Sequence, residues 1–171
     1  AWYHVARPSL PRRSWSGARC AMPRAVSRSI RIGLLGCGVV GQGILRLLGE
    51  HREGLERRLG VPIEVRRVVA RDASKPRSVH VAPELLSYDP SDVLDDPDVD
   101  VVVEVAGGLE PAGSWVRRAL ESGKTVVTAN KALLAERGLE LFELAEAKGV
   151  DLYFEAAVAG GVPVIRVLRE A

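Results

Sequence analysis

Residues 33–43, GLLGCGVVGQG, place five glycines within eleven positions. Glycine loses more conformational freedom on folding than any other residue, so such a cluster needs a turn with positive φ or a group pressed against the main chain. The flanks choose between these. Before the glycines, IRIGLL (Ile30–Leu35) is an apolar run of strand length; after them, Ile44, Leu45, Leu47 and Leu48 fall on one face of a helix. The glycines therefore occupy a strand-to-helix turn. Gly36, Gly38 and Gly41 match G-x-G-x-x-G, with Cys37, Val39 and Val40 between them. This is the dinucleotide-binding fingerprint: the first glycine permits the tight turn, the second lets a pyrophosphate approach the backbone, and the third lets helix pack on strand. Free N–H groups and the positive end of the helix dipole then face the phosphates.

Outward from the turn, the first helix is expected to run to about Leu59, and VPIEVRRVVARD (Val61–Asp72) to supply a second strand. Residues 73–100 are rich in proline and aspartate and read as loops with one or two short turns of helix. VDVVVEVAGG (Val99–Gly108) is a near-continuous apolar run, as expected of a strand buried on both faces. A helix from Pro111 to Ser122 follows, with proline in its first turn and Gly123 at its end. KTVVTAN (Lys124–Asn130) is a strand, residues 131–149 are helical, VDLYFEAAV (Val150–Val158) is another strand, and GGVPVIRVLREA leads into a further helix. Strands alternating with helices predict an α/β fold, a Rossmann-type doubly wound parallel sheet over residues 30–171.

The chain of 171 residues, 47% hydrophobic and 27% charged, has the composition of one soluble globular core. No apolar stretch approaches the ~20 residues that cross a bilayer, so no membrane partner is expected. Cys20 and Cys37 lie in unlike contexts and indicate neither a disulfide framework nor a metal site, which fits a reducing, cytoplasmic compartment. The net charge of +2 hides an asymmetry: residues 1–29 carry six arginines and no acid, leaving 18 basic against 22 acidic residues in the remainder. These arginines lie on no helical stripe or recognisable module, so nucleic-acid binding is not inferred. The leader 1–29 has the composition of an Arg-rich transit peptide, or residues 1–21 are upstream read-through, and either way the segment is expected to be disordered. The single methionine, Met22, stands eight residues before the first strand and reads as the natural start.

In open α/β sheets ligands bind beyond the carboxyl ends of the strands, so the strand exits are the places to look. The second exit reads Ala70-Arg71-Asp72, with Lys75 and Arg77 behind. A carboxylate there accepts from the ribose 2′-OH of NAD and an arginine accommodates the 2′-phosphate of NADP. Arg71 comes first, which favours NADP, although Asp72 keeps NAD open and a solvated loop explains Lys75 and Arg77 equally well. At the third exit, Ala106 and Gly107 are small enough for a nicotinamide ribose to lie against backbone. Glu104 is a carboxylate inside an apolar strand, expensive unless it is partnered, and reads as a hydrogen-bond acceptor for neighbouring backbone rather than a catalytic group. Lys131 opens a helix, where a cation opposes the macrodipole unless an anionic or carbonyl ligand sits opposite. At the last exit Glu155 closes a strand, and Ala-Ala-Val-Ala-Gly-Gly offers bare carbonyls. That turn suits a hard cation or a tight crossover, and spacing alone favours the crossover.

Together GLLGCGVVGQG, DVVVEVAGG, VVTANKALLA and FEAAVAGGVPVI, in this order, resemble the nucleotide-binding domain of the homoserine dehydrogenase family over Ile30 to Ala171. The resemblance implies NAD(P)H-dependent interconversion of L-aspartate 4-semialdehyde and L-homoserine, on the branch to threonine, methionine and isoleucine. It implies cofactor contacts at Gly36–Gly41, Ala106 and Lys131, with Lys131 also at the reacting centre. It further implies a sodium ion held by oxygens of Glu155, Val158, Gly160 and Val162, which reverses the preference for a bare crossover. In the family the acid/base residues, most substrate contacts and the homodimer interface belong to a following α+β domain. This chain is therefore expected to be the cofactor half and inactive alone. The alternatives are another NAD(P)-dependent dehydrogenase on the same cofactor half, and a nucleotide-sensing module without chemistry.

Overall fold

The computed structural model of the protein describes residues 29–158 and Val167; the predicted leader up to residue 28 and the helix expected near the C-terminus otherwise lie outside the described residues. Strand β1 (Ile30–Leu35) leads through the glycine turn into helix α1 (Val39–Glu50), followed by α2 (Arg52–Leu59) and β2 (Ile63–Val69). A short strand β3 (Leu86–Ser87) and α3 (Ser91–Leu94) precede β4 (Val101–Glu104) and α4 (Ala112–Glu121). The chain continues through β5 (Thr125–Thr128), α5 (Lys131–Lys148) and β6 (Leu152–Tyr153) to a 3-10 turn at Glu155–Ala157.

The six strands are parallel in the order β3-β2-β1-β4-β5-β6. The sheet starts at its centre with β1, builds outward to β3, then returns across β1 to build the other half. The reversal falls between β1 and β4, where flanking loops diverge and leave the crevice in which doubly wound sheets bind nucleotides. Alternating side chains serve two cores. Leu35, Val69, Val102, Val126 and Leu152 point to the face covered by α3, α4 and α5, whereas Leu34, Val68 and Val103 point to the face on which Ile44 and Leu45 of α1 pack. Each fully buried leucine or valine contributes about 1.5–3 kcal/mol, so both layers are held by strand residues the chain cannot turn outward.

Four expectations need correction. The helix expected to reach Leu59 breaks at His51, whose φ of −108° and ψ of 14° leave the helical region. The apolar spacing of Leu48, Leu55 and Leu59 runs unbroken through that bend, so periodicity does not reveal it. The second strand stops at Val69, short of Asp72, because its neighbours β1 and β3 offer partners no further. A strand, β3, lies in the region expected to hold only loops and short helical turns; its two residues pair with Val68 and Val69. Glu155 does not close a strand. The pairing of β6 with β5 stops at Tyr153, opposite Val127, one residue before β5 ends; Phe154 turns out of the ladder onto Phe142 of α5, ring centroids 4.9 Å apart, and the chain curls into the 3-10 turn.

Candidate dinucleotide-binding site

The glycines of the turn do different things. Gly33 lies under α3, where a Cβ would stand 2.5 Å from Val93 Cγ1. Gly36 has φ +114°, and a Cβ there would lie 2.9 Å from the Ala106 nitrogen and the Val105 carbonyl. The first fingerprint glycine thus abuts the exit of β4, and Gly36 and Ala106 share one site. At Gly41 a Cβ would meet the Gly36 oxygen at 2.1 Å, so only glycine lets α1 lie against the turn. At Gly38 the same construction meets nothing within 4 Å. Gly38 caps α1 without a side-chain hydrogen bond, and the first turn contains no acid. Val39 and Val40 are exposed beside it, and the Cys37 thiol is buried. An uncapped helix start with a bare backbone cradle in front of it fits a phosphate group in shape and charge.

At the exit of β2, Ala70 is buried and Arg71 exposed. The Asp72 carboxylate turns onto its own loop: Oδ1 accepts from the Ser74 amide at 2.9 Å and the Ser74 hydroxyl at 2.7 Å. These bonds hold its pKa below the usual carboxylate value. Arg77 donates to the Asp72 carbonyl at 2.7 Å and so belongs to the same loop. Gln42, which sequence reasoning passed over, ties this loop to the glycine turn. Its Oε1 accepts from the Ser78 amide and hydroxyl at 2.6 and 3.0 Å, and its Nε2 donates to the Cys37 carbonyl at 3.4 Å.

The exits of β4 and β5 meet through one carboxylate. Glu104 is fully buried. Its Oε1 accepts from the amides of Ala106 at 2.9 Å and Gly107 at 3.1 Å, and its Oε2 accepts from the Thr128 hydroxyl at 2.6 Å. The backbone partners match the role expected for Glu104; Thr128 was not foreseen. Thr128 Oγ1 in turn accepts from the Asn130 amide at 3.0 Å. Asn130 caps α5, its Oδ1 accepting from the Leu133 amide at 3.1 Å, while its Nδ2 donates to the Gly108 carbonyl at 2.6 Å. Asn130 and Thr128 follow from no spacing rule, although an asparagine directly before a helical run is a capping signal. Lys131 is the first residue of α5 and is exposed, one position beyond this network. On the far side of the turn, Glu110 accepts from the Ser114 hydroxyl at 2.7 Å and from Arg137 at 2.6 Å, which hold its carboxyl below the usual range.

Of the four residues expected to hold a cation, Glu155 opens the 3-10 turn and Val158 follows its end, the Val158 amide donating to the Glu155 carbonyl at 3.2 Å; both are half-buried, and Gly160 and Val162 lie outside the described residues. Among the described residues no group of three or more His, Cys, Asp or Glu side chains converges as a metal site. A cavity of about 700 Å³ lies away from the strand exits, beside β2 between Leu45, Leu48, Val81 and Leu85. It contains none of the fingerprint backbone. Among the described residues no helix is long and apolar enough to cross a membrane.

A parallel sheet of this order, with a glycine turn at its switch point and an uncapped helix start beyond it, defines a dinucleotide-binding Rossmann domain. Residues 36–155 match the family described as homoserine dehydrogenase, NAD binding domain, and the chain belongs to that family. It is similar to the homoserine dehydrogenase of Corynebacterium glutamicum, 51% identical over 143 residues that cover 84% of this chain and 32% of that protein. The crystal structure of a homoserine dehydrogenase from Thiobacillus denitrificans superposes with a TM-score of 0.77 at 50% identity, covering 83% of this chain and 33% of that one. A hyperthermophilic archaeal homoserine dehydrogenase in complex with NADPH superposes with a TM-score of 0.69 at 26% identity, over 83% of this chain and 48% of that one. The chain spans about a third of the length of the curated relatives it matches.

Proposed function

We propose that residues 30–171 form the cofactor-binding part of a cytoplasmic, homodimeric homoserine dehydrogenase that interconverts L-aspartate 4-semialdehyde and L-homoserine with NADPH. The observation that carries this reading is the open space at Gly38. Two glycines of the fingerprint are filled by neighbouring backbone, and the one between them faces solvent at the uncapped start of α1. The amides of Val39, Val40 and Gly41 are the donors available there to a pyrophosphate, with Cys37 beneath the turn. Arg71 meets the 2′-phosphate, a role supported by the commitment of Asp72 and Arg77 to their own loop. Ala106 and Gly107 present small side chains and backbone to the nicotinamide ribose.

A bound nicotinamide supplies or accepts the hydride; the chain's part is to orient it and to stabilise charge. Lys131 is the catalytic residue of this half. A cation at a helix start is disfavoured by about 0.3–1 kcal/mol, and its placement beside the crevice suits a developing alkoxide. The oxygens of Glu155, Val158, Gly160 and Val162 hold a sodium ion that orders the turn after β6. Support comes from the half-buried setting of Glu155 and Val158, since hard cations take oxygen donors from such turns.

The test is a fluorescence titration of NADPH into the 171-residue chain, with and without sodium. Saturable binding in the micromolar range, weakened without sodium, is the expected outcome. No binding at millimolar NADPH would remove the assignment.

A further inference from the structure

We infer that Glu104 is a positioning residue that locks the two strand exits to each other and so sets where Lys131 stands relative to the 106–108 turn. The inference rests on the nucleotide-binding reading for its function and on geometry for its mechanism. Three donors converge on this side chain from two elements far apart in sequence: the amides of Ala106 and Gly107 on one oxygen and the Thr128 hydroxyl on the other. The hydrogen bonds run in one direction, from the Asn130 amide to Thr128 Oγ1 and from the Thr128 hydroxyl to Glu104. Only a group with acceptors at both ends satisfies this set. Glutamine has the same shape, yet its NH2 faces either the two amides or the threonine hydroxyl, and one buried donor loses its acceptor.

The network closes on the far side. Asn130 donates to the Gly108 carbonyl and caps α5, so the 106–108 turn is gripped from Glu104 at one end and Asn130 at the other. Gly107 and Gly108 both have positive φ, 75° and 81°, so their conformation is one that side-chain packing does not impose. Ala106 and Gly107 are themselves exposed, which leaves the Glu104 bonds as the protection of their amides. A carboxylate buried in an apolar strand is expensive, and here its placement fixes the cofactor-facing backbone and the start of α5 as one unit.

The experiment is amide hydrogen exchange on the 171-residue chain with Thr128→Val, Thr128→Ser and Glu104→Gln, without nucleotide. Thr128 does not touch the Ala106 or Gly107 amides, so a purely local role leaves them unchanged when it is altered. The expected result is exchange at both amides at least ~10-fold faster in Thr128→Val, near wild type in Thr128→Ser, and unchanged in β1 and α4. Should Glu104→Gln fail to fold, the threonine pair still decides. Wild-type exchange at Ala106 and Gly107 in Thr128→Val, or equal acceleration at every amide, would overturn the coupling. The second readout is the NADPH Kd, expected to rise about tenfold in Thr128→Val and to return in Thr128→Ser. An unchanged Kd in Thr128→Val reduces Glu104 to a structural residue. A wild-type chain that binds no NADPH defeats the nucleotide reading instead and leaves the exchange result to judge the coupling.

Discussion

Gly38→Ala and Gly41→Ala add the same methyl group three positions apart and should fail in opposite ways. At Gly41 the new Cβ would stand 2.1 Å from the Gly36 oxygen, where ordinary van der Waals contact begins at 3.4 Å, and the obstacle is backbone. Helix α1 must lift off the turn. Overpacking of this kind costs about 1–3 kcal/mol, and a backbone obstacle places it at the upper end. Alanine regains about 1 kcal/mol of helix propensity, so the net loss is about 2 kcal/mol. For a domain of this size that lowers the Tm by roughly 4–8 °C. At Gly38 φ is −82° and the methyl meets nothing, so the fold accepts it and gains about 0.4–1 kcal/mol from a less flexible unfolded chain. The methyl occupies the cradle, and losing one charge-assisted bond to a phosphate costs about 1.5–3 kcal/mol, or at least tenfold in NADPH affinity. Thermal melts followed by circular dichroism, with NADPH titrations on the same samples, separate the two. A Gly41→Ala variant with wild-type Tm, or a Gly38→Ala variant with wild-type affinity, would refute the division of roles.

Arg71→Ala should lose at least tenfold in affinity for NADP(H) and little for NAD(H), from the same size of charge-assisted bond; parallel titrations with both cofactors check it, and an unchanged preference removes Arg71 from the site. Lys131→Ala should melt with the wild type, because the side chain is exposed, yet lower kcat/KM about 100-fold in the full-length enzyme; near-normal turnover of aspartate semialdehyde would leave Lys131 a surface residue. Glu110 is stabilised in its charged form by Ser114 and Arg137, so its contribution is present above the unfolded carboxyl pKa of about 4.3 and is lost as pH falls through the lower folded value. The Tm gap between wild type and Glu110→Gln should therefore narrow below about pH 4.3. A gap independent of pH would show that the carboxylate is not the source.

Much of this fold is written in short-range pattern. The strand, glycine turn and helix around residues 30–48 declare themselves because apolar period and glycine spacing are local properties. The end of α4 at Gly123 and of α5 at Gly149 follow for the same reason, since both glycines adopt the left-handed conformation that stops a helix. What escaped depends on neighbours that sequence distance conceals. Strand β3 is a strand only because Val68 and Val69 lie beside Leu86 and Ser87, and β6 stops at Tyr153 where Phe154 turns onto Phe142 of α5. The site divides in the same way. Gly36, Gly38, Gly41 and Lys131 stand out by position relative to a strand or a helix start, and the cost of burying Glu104 signals that it must be partnered. Its partner Thr128 is 24 residues away, as the Gln42 partner Ser78 is 36 away. A hydrogen bond is decided by the distance between two atoms in space, and only the packed sheet brings those atoms together.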